Sequence, residues 1–172
     1  MHFISTRKNS EALSFKEVTL KGLADDGGLY IPNKWPLINS DILKKNMNFQ
    51  ELTFLLFKSF IGNSIEDKKL RFLISSSYSS FSNKEVTPIK KLDDSNFLLE
   101  LYHGPTLAFK DIALQFLGNL FDLFLEGTKK KLTIIGATSG DTGSAAIEAV
   151  KNKKNADIFI LHPYKRGSEF QR

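Results

Sequence analysis

Two short stretches of this chain hold side chains able to do chemistry. The first is "HGPTLAFKD", residues 103–111. Lys110 follows the rigid Gly104-Pro105 pair and a small apolar run, and stands just before a long apolar-periodic segment. A helix start disfavours a cation by about 0.3–1 kcal/mol, because the peptide dipoles place partial positive charge there. Leu107, Ala108 and Phe109 add apolar surroundings. Both features favour the neutral amine over the ammonium. A neutral lysine amine is a nucleophile and forms a Schiff base with an aldehyde. The competing reading is a solvated surface lysine, one of 24 lysines and arginines in the chain.

The second stretch is "GATSGDTG", residues 136–143. It joins a strand-like run to a helical one, at the strand end where open α/β sheets bind ligands. The first N–H groups of a helix have no intrahelical partner, and they attract anions. Gly140 allows close approach to the backbone, and Thr138, Ser139 and Thr142 add hydroxyl donors. The chemistry suits a carboxylate or a phosphate. A P-loop needs G-x-x-x-x-G-K-[ST], and no lysine is present here. The dinucleotide pattern G-x-G-x-x-G is also absent. Asp141 would repel a nucleotide, so either the ligand is smaller or Asp141 makes its own hydrogen bonds. The competing reading is a turn that caps a helix, with Ser139 or Asp141 as N-cap.

The elements that must position these stretches follow from periodicity. Residues 1–36 read as short strands and turns, including the Asp26-Gly27-Gly28 turn. From Ser40 to about Ile74 the pattern is helical. Asn48 with Glu51 resembles a capping box, and Phe49, Leu52, Leu56 and Phe60 fall on one face. Gly62-Asn63 ends that helix, and Ser64 with Asp67 begins another carrying Leu70 and Leu73. The Ser-rich run 75–83 reads as a polar connection and domain boundary. Strands at 96–102, 131–137 and 156–162 then alternate with helices at 107–126 and 141–150. That order predicts a parallel sheet with helical crossovers.

The fold class is therefore α/β. A small helical N-terminal domain over 1–80 precedes the first βαβαβ units of a parallel sheet over 85–172. Three parallel strands make an incomplete sheet, so the chain reads as the front part of a larger protein.

Composition narrows the function classes. With 41% hydrophobic residues and 15 Phe in 172 residues, the chain can build a core and does not read as disordered. There is no cysteine, which excludes disulfides, thiol nucleophiles and zinc-thiolate sites. The net charge of +5 is spread along the chain. Lys129-Lys130-Lys131 and the "KNKKN" run at 151–155 read as solvated turns, with no nucleic-acid motif beside them. No apolar run reaches the ~18 residues of a membrane helix, and the N-terminus is no secretory signal. A cytoplasmic enzyme is the expectation.

Taken together, these motifs resemble the threonine synthase family. "HGPTLAFKD" resembles its pyridoxal-phosphate lysine motif, and "GATSGDTGSAA" its glycine-rich loop. "ISTR" (4–7), "LKGLADDGGLYIP" (20–32), "NFQELTFLLFKSFIG" (48–62) and "VTPI" (86–89) resemble its N-terminal part. The resemblance covers the whole chain and implies a fold-type II enzyme that uses pyridoxal 5'-phosphate. Such enzymes convert O-phospho-L-homoserine and water to L-threonine and phosphate. Lys110 is implied as catalytic and cofactor-binding, and Ser139 and Asp141 as cofactor-binding. Thr138, Ser139, Gly140 and Thr142 are implied to face the substrate. Family members are more than twice as long, so the piece alone is expected to be inactive. A threonine-synthase-like phospholyase, a hydroxyamino-acid dehydratase and a non-catalytic anion-binding module are the alternatives.

Other polar residues invite structural readings. His103 reads as packed or hydrogen-bonded, and His2 as terminal and structural. Asp25-Asp26 and Asp93-Asp94 read as turn acids. Lys165 and Arg166 read as a basic turn, and His162 stays undecided on the ligand rim.

Overall fold

A computed structural model of the chain describes residues 1–164. The chain forms two compact units, the first Met1–Ile74 and the second beginning at Ser75.

In the first unit, β1 (His2–Ser5) lies between β2 (Leu13–Ser14) and β3 (Tyr30–Pro32) in an antiparallel sheet. Phe3 faces Leu13, and Ile4 faces Ile31. The expected turn at Asp26 is a hydrogen-bonded knot. Its carboxylate accepts from Ser5 Oγ (2.7 Å), from Gly28 N–H (2.9 Å) and from Asn9 N–H (3.0 Å). These bonds, the one from Ser5 foremost, hold Asp26 below the ordinary carboxylate pKa. Asp26 therefore shapes the turn, as its position suggested.

One helix was not visible in the sequence. α1 (Phe15–Lys21) starts on a capping box between Ser14 and Glu17 and stops at Gly22. Seven residues are too few for a helical period to stand out from strand-like alternation.

α2 (Phe49–Ile61) uses the expected Asn48–Glu51 box and ends at Gly62, whose φ of 61° suits glycine. The face is not the expected one. Thr53, Phe54 and Ile61 are buried, whereas Leu52 is exposed. The helix is apolar on most sides, so spacing alone could not choose between its faces. The Arg71 guanidinium lies 3.6 Å from the Phe54 ring centroid, and Lys58 pairs with Asp67 at 2.6 Å.

α3 (Asp67–Tyr78) buries Leu70, Leu73 and Ile74 in the first unit. Its last turn belongs to the second unit, so the run 75–83, expected to be a polar connection, begins as packed helix up to Tyr78. Ser77 is buried and accepts a hydrogen bond from Asn119 Nδ2 (2.8 Å). Tyr78 is buried and donates to the Ile112 carbonyl (3.0 Å). Serine is small enough to pack in a helix interface when its hydroxyl finds a partner.

The second unit continues with β4 (Ile89–Lys91) and β5 (Phe97–Leu99), an antiparallel hairpin with Ile89 opposite Leu99. Asp93 closes its turn by accepting from Ser95 N–H, Asn96 N–H and Asn96 Nδ2. The 96–102 run is thus corrected: it pairs with its sequence neighbour, not with the parallel strands. A short turn brings β4 and β5 together at low entropic cost, whereas a crossover pairing must close a much longer loop.

The parallel part is a single βαβ unit. β6 (Leu132–Ala137) pairs with β7 (Ala156–Leu161) through the crossover helix α5 (Asp141–Val150). α4 (Asp111–Leu125) precedes them. Burial alternates along both strands with the two-residue period of a sheet covered on one face. Leu114 of α4 and Leu132, Ile134 and Ile158 of the sheet pack around Ala149, Val150 and Ala156. Among the described residues the opposite face leaves Ile135, Phe159 and Leu161 exposed.

Gly118 packs directly on the Ala149 carbonyl, and a Cβ there would overlap it. Further along, Lys153 Nζ donates to Asn119 Oδ1, and Lys154 N–H donates to Asp122 Oδ1 (3.2 Å). These contacts advance along both segments together. α4 and α5 therefore run in the same sense, with their N-terminal ends at the same end of the layer. No helix among the described residues is long and apolar enough to cross a membrane.

Candidate functional site

The approach to Lys110 begins at Glu100, whose N–H donates to the Pro88 carbonyl (3.0 Å). His103 Nε2 meets Glu100 Oε2 at 2.8 Å, and its Nδ1 meets Ser82 Oγ at 3.2 Å. The His103 bond, with a second from Tyr102, holds the Glu100 carboxyl below its ordinary pKa. Tyr102 is pushed up by the same contact with Glu100. His103 is therefore packed and hydrogen-bonded, as its place before Gly-Pro suggested.

Residues 104–110 fold into two consecutive tight turns. Leu107 N–H donates to the Gly104 carbonyl (3.1 Å), and Asp111 N–H to the Ala108 carbonyl (3.0 Å). Leu107 sits at φ 61°, a left-handed conformation that costs a non-glycine residue energy. The loop holds that shape through Asp111, which is fully buried. Asp111 Oδ2 accepts from Thr106 N–H and Oδ1 accepts from Thr106 Oγ, each at 2.8 Å. Gly104 packs flat against the same side chain, and a Cβ there would overlap it.

The helix starts at Asp111 rather than at 107, so Lys110 is its N-cap residue. Its backbone is already helical (φ −64°, ψ −22°), and its side chain makes no capping bond. The expected apolar enclosure is corrected. Ala108 is buried, but Leu107 and Phe109 are each 58% exposed. The half-buried lysine lays its Nζ 4.2 Å above the Phe109 ring centroid. An aromatic face attracts a lysine ammonium, so the ring gives the side chain a resting place. Both tight turns direct odd-numbered apolar side chains outward, which the one-dimensional pattern could not show.

The second stretch extends the parallel sheet. Thr138 N–H donates to the Leu161 carbonyl (3.0 Å), and Gly140 N–H donates to Thr138 Oγ1 (3.3 Å). Gly140, not Ser139 or Asp141, is the N-cap residue of α5, and it supplies no side-chain capping bond. The expected N-cap residue is thereby corrected. A glycine here leaves the first helical N–H groups without the side-chain oxygen that serine or aspartate would supply. Ser139, Asp141 and Thr142 are exposed, and Thr138 and Gly140 are half-buried. Gly143 packs on Thr138, where a Cβ would come within 2.7 Å of Cγ2.

The common sense of α4 and α5 brings Lys110 and the 138–142 loop to the same end of the layer. His162 follows Leu161 at that end and is exposed. Lys165 and Arg166 lie outside the described residues. His2 is in β1, and its carbonyl accepts from Asn33 N–H (2.9 Å). No group of three or more histidine or acidic residues able to hold a metal occurs among the described residues. Sequence reasoning missed Asp111 and Thr106. The available signal was an acid at the first helical position, five residues after the threonine that follows Gly104-Pro105.

Comparison with known proteins adds a family to this geometry. The model of the threonine synthase N terminus matches residues 2–78. The threonine synthase of Pseudomonas aeruginosa is 45% identical over 100% of this chain and 37% of its own length. A solved pyridoxal-phosphate-bound threonine synthase from Brucella melitensis superposes with a TM-score of 0.95. It is 40% identical over 99% of this chain and 37% of its own. The yeast threonine synthase structure gives 0.91 at 44% identity, again over 99% and 37%. The chain thus spans a little over a third of the length of these relatives.

Proposed function

From the premise that the chain matches the threonine synthase family over its whole length, we propose that it carries the lysine and anion loop of a threonine synthase. The reaction proposed for the whole protein is conversion of O-phospho-L-homoserine and water to L-threonine and phosphate. The observation that carries this reading is a lysine at one helix start and a glycine N-cap at another helix start at the same end of the layer. An amine and an anion cradle so placed suit a ligand with an aldehyde and a partner with a carboxylate.

The residues present fit pyridoxal 5'-phosphate in their donor chemistry. Lys110 supplies the amine, and Ser139 and Asp141 supply polar groups for the edge of the ring. When bound, that group acts as an electron sink for charge developing on carbons beside an amine. Lys110 Nζ would hold the cofactor and, once released, accept and return protons at the substrate's carbons. The N–H groups at the start of α5 would bind the substrate carboxylate, with Thr138, Ser139 and Thr142 orienting it. Gly140 would let that carboxylate approach the backbone.

The test is reduction with borohydride after mixing the chain with pyridoxal 5'-phosphate, followed by peptide mass mapping. The expected result is a pyridoxyl adduct concentrated on Lys110. Equal labelling of exposed lysines with none on Lys110 would overturn the reading.

A further inference from the structure

We propose that Asp111 is a positioning residue for the Lys110 amine, acting through a clamp on Thr106. The proposal deepens the reading of Lys110 given above and rests on it for its functional meaning. Lys110 has no capping bond, and the ring its Nζ rests on belongs to the adjacent Phe109, so its side-chain direction depends on the backbone on either side. On one side is the α4 helix. On the other is a loop passing through Leu107 at φ 61°, a conformation that would relax if nothing held it.

Asp111 supplies the hold. Its carboxylate is fully buried and spans both donors of Thr106, the residue just before the strained position. A buried carboxylate is tolerated only when hydrogen-bonded, so the two partners secure each other. Gly104 closes the far side, leaving Asp111 no room to turn away. The loop is thereby pinned at its start, before its strained residue and at its end. The residue pinned immediately after Lys110 sets where the Cα–Cβ bond of the lysine points. This arrangement differs from an ordinary N-cap, because the carboxylate belongs to the first helical residue and reaches back five positions.

Two readouts separate this proposal from the cofactor reading. Trace acetylation with acetic anhydride, scored by peptide mass spectrometry, reads each amine without any cofactor. Lys68 and Lys69, both exposed, serve as internal standards. In the wild-type chain half-buried Lys110 is expected to react more slowly than these two. Thr106→Val keeps the shape of the side chain but removes one donor, and Lys110 should then approach the rate of the standards. Thr106→Ser restores the donor and should restore the wild-type ratio. Ile134→Val makes a small cavity in the sheet core and should leave the ratio unchanged, although it also lowers stability. Asp111→Ala removes both acceptors and should act like Thr106→Val if it folds.

Pyridoxal 5'-phosphate with borohydride is the second readout. Thr106→Val should reduce the Lys110 adduct about tenfold relative to other lysines, within the ~10²-fold loss that ~1 Å of misplacement can cause. An unchanged acetylation ratio in folded Thr106→Val would overturn the clamp. A changed ratio with no wild-type adduct on Lys110 would support the clamp and defeat the cofactor reading instead.

Discussion

The loops before α4 and α5 of the second unit are built in opposite ways. Residues 104–110 are tied to a fully buried carboxylate and pass through a strained leucine. Residues 138–142 are carried by a backbone bond from Thr138 to Leu161 of β7 and by the Thr138 hydroxyl, and they pass through the glycine N-cap Gly140, which supplies no side-chain cap. A covalent attachment point must sit in one place, so local energy is well used in holding it. An anion cradle needs donors without internal partners, so the same side-chain bonds would defeat it. The two architectures agree with the roles proposed for them.

The contrast can be broken experimentally, and the largest effect is at the amine itself. Lys110→Ala should abolish the localised pyridoxyl adduct while leaving the thermal midpoint nearly unchanged, as read by mass mapping and calorimetry. A persisting adduct elsewhere in the second unit would move the attachment point. Gly104→Ala comes next. The added methyl collides with a side chain that cannot retreat, so it should cost about 3 kcal/mol, the upper end of ordinary overpacking. Denaturant unfolding would measure it.

Thr106→Val and Ser139→Ala form the sharpest pair. The first removes a buried hydrogen bond to a charged acceptor and should cost about 1.5–2 kcal/mol. The second removes an exposed hydroxyl and should stay within about 0.5 kcal/mol. Equal costs in parallel unfolding curves would erase the distinction between the loops.

A smaller effect is reached through pH. Burial pushes the Tyr78 hydroxyl up to about 12, and that hydroxyl supports the Ile112 carbonyl at the start of α4. Its folded pKa is raised, so the stability it adds is complete below about pH 10 and is lost as pH rises towards 12. Tyrosinate absorbance should show Tyr78 among the late-ionising tyrosines, with Tyr78→Phe removing its share. Hydrogen exchange should loosen the first turn of α4 over that interval more than the first turn of α5. Tyr78→Phe should remove this pH-dependent component.

Much of the frame could be read from residue order. The Asn48–Glu51 capping box, the Gly62 stop and the turn acid Asp93 are local devices, acting within a few residues of themselves, whereas Asp26 adds the distant Ser5 and Asn9 to its local bond with Gly28. The strand–loop–helix–strand run from β6 to β7 is legible because strand and crossover helix have different periods. The misreadings share one cause. The buried face of α2, the packing of Ser77 and Tyr78 and the antiparallel partner of β5 are all set by residues distant in sequence or by competition between faces. Asp111 is instructive because it looks like an ordinary first-turn acid, and only its complete burial reveals the clamp.

The sequence by itself determined that a lysine precedes a helix, that a glycine-rich polar loop follows a strand, and which family these motifs resemble. Those are statements about residue type and spacing, which chain order holds completely. Only the tertiary structure decided that Gly140 caps α5, that Phe109 is exposed beneath the Lys110 amine, and that Asp111 turns inward onto Thr106. Burial and hydrogen-bond partnership depend on which surfaces meet in three dimensions, and residue order alone leaves several such meetings open.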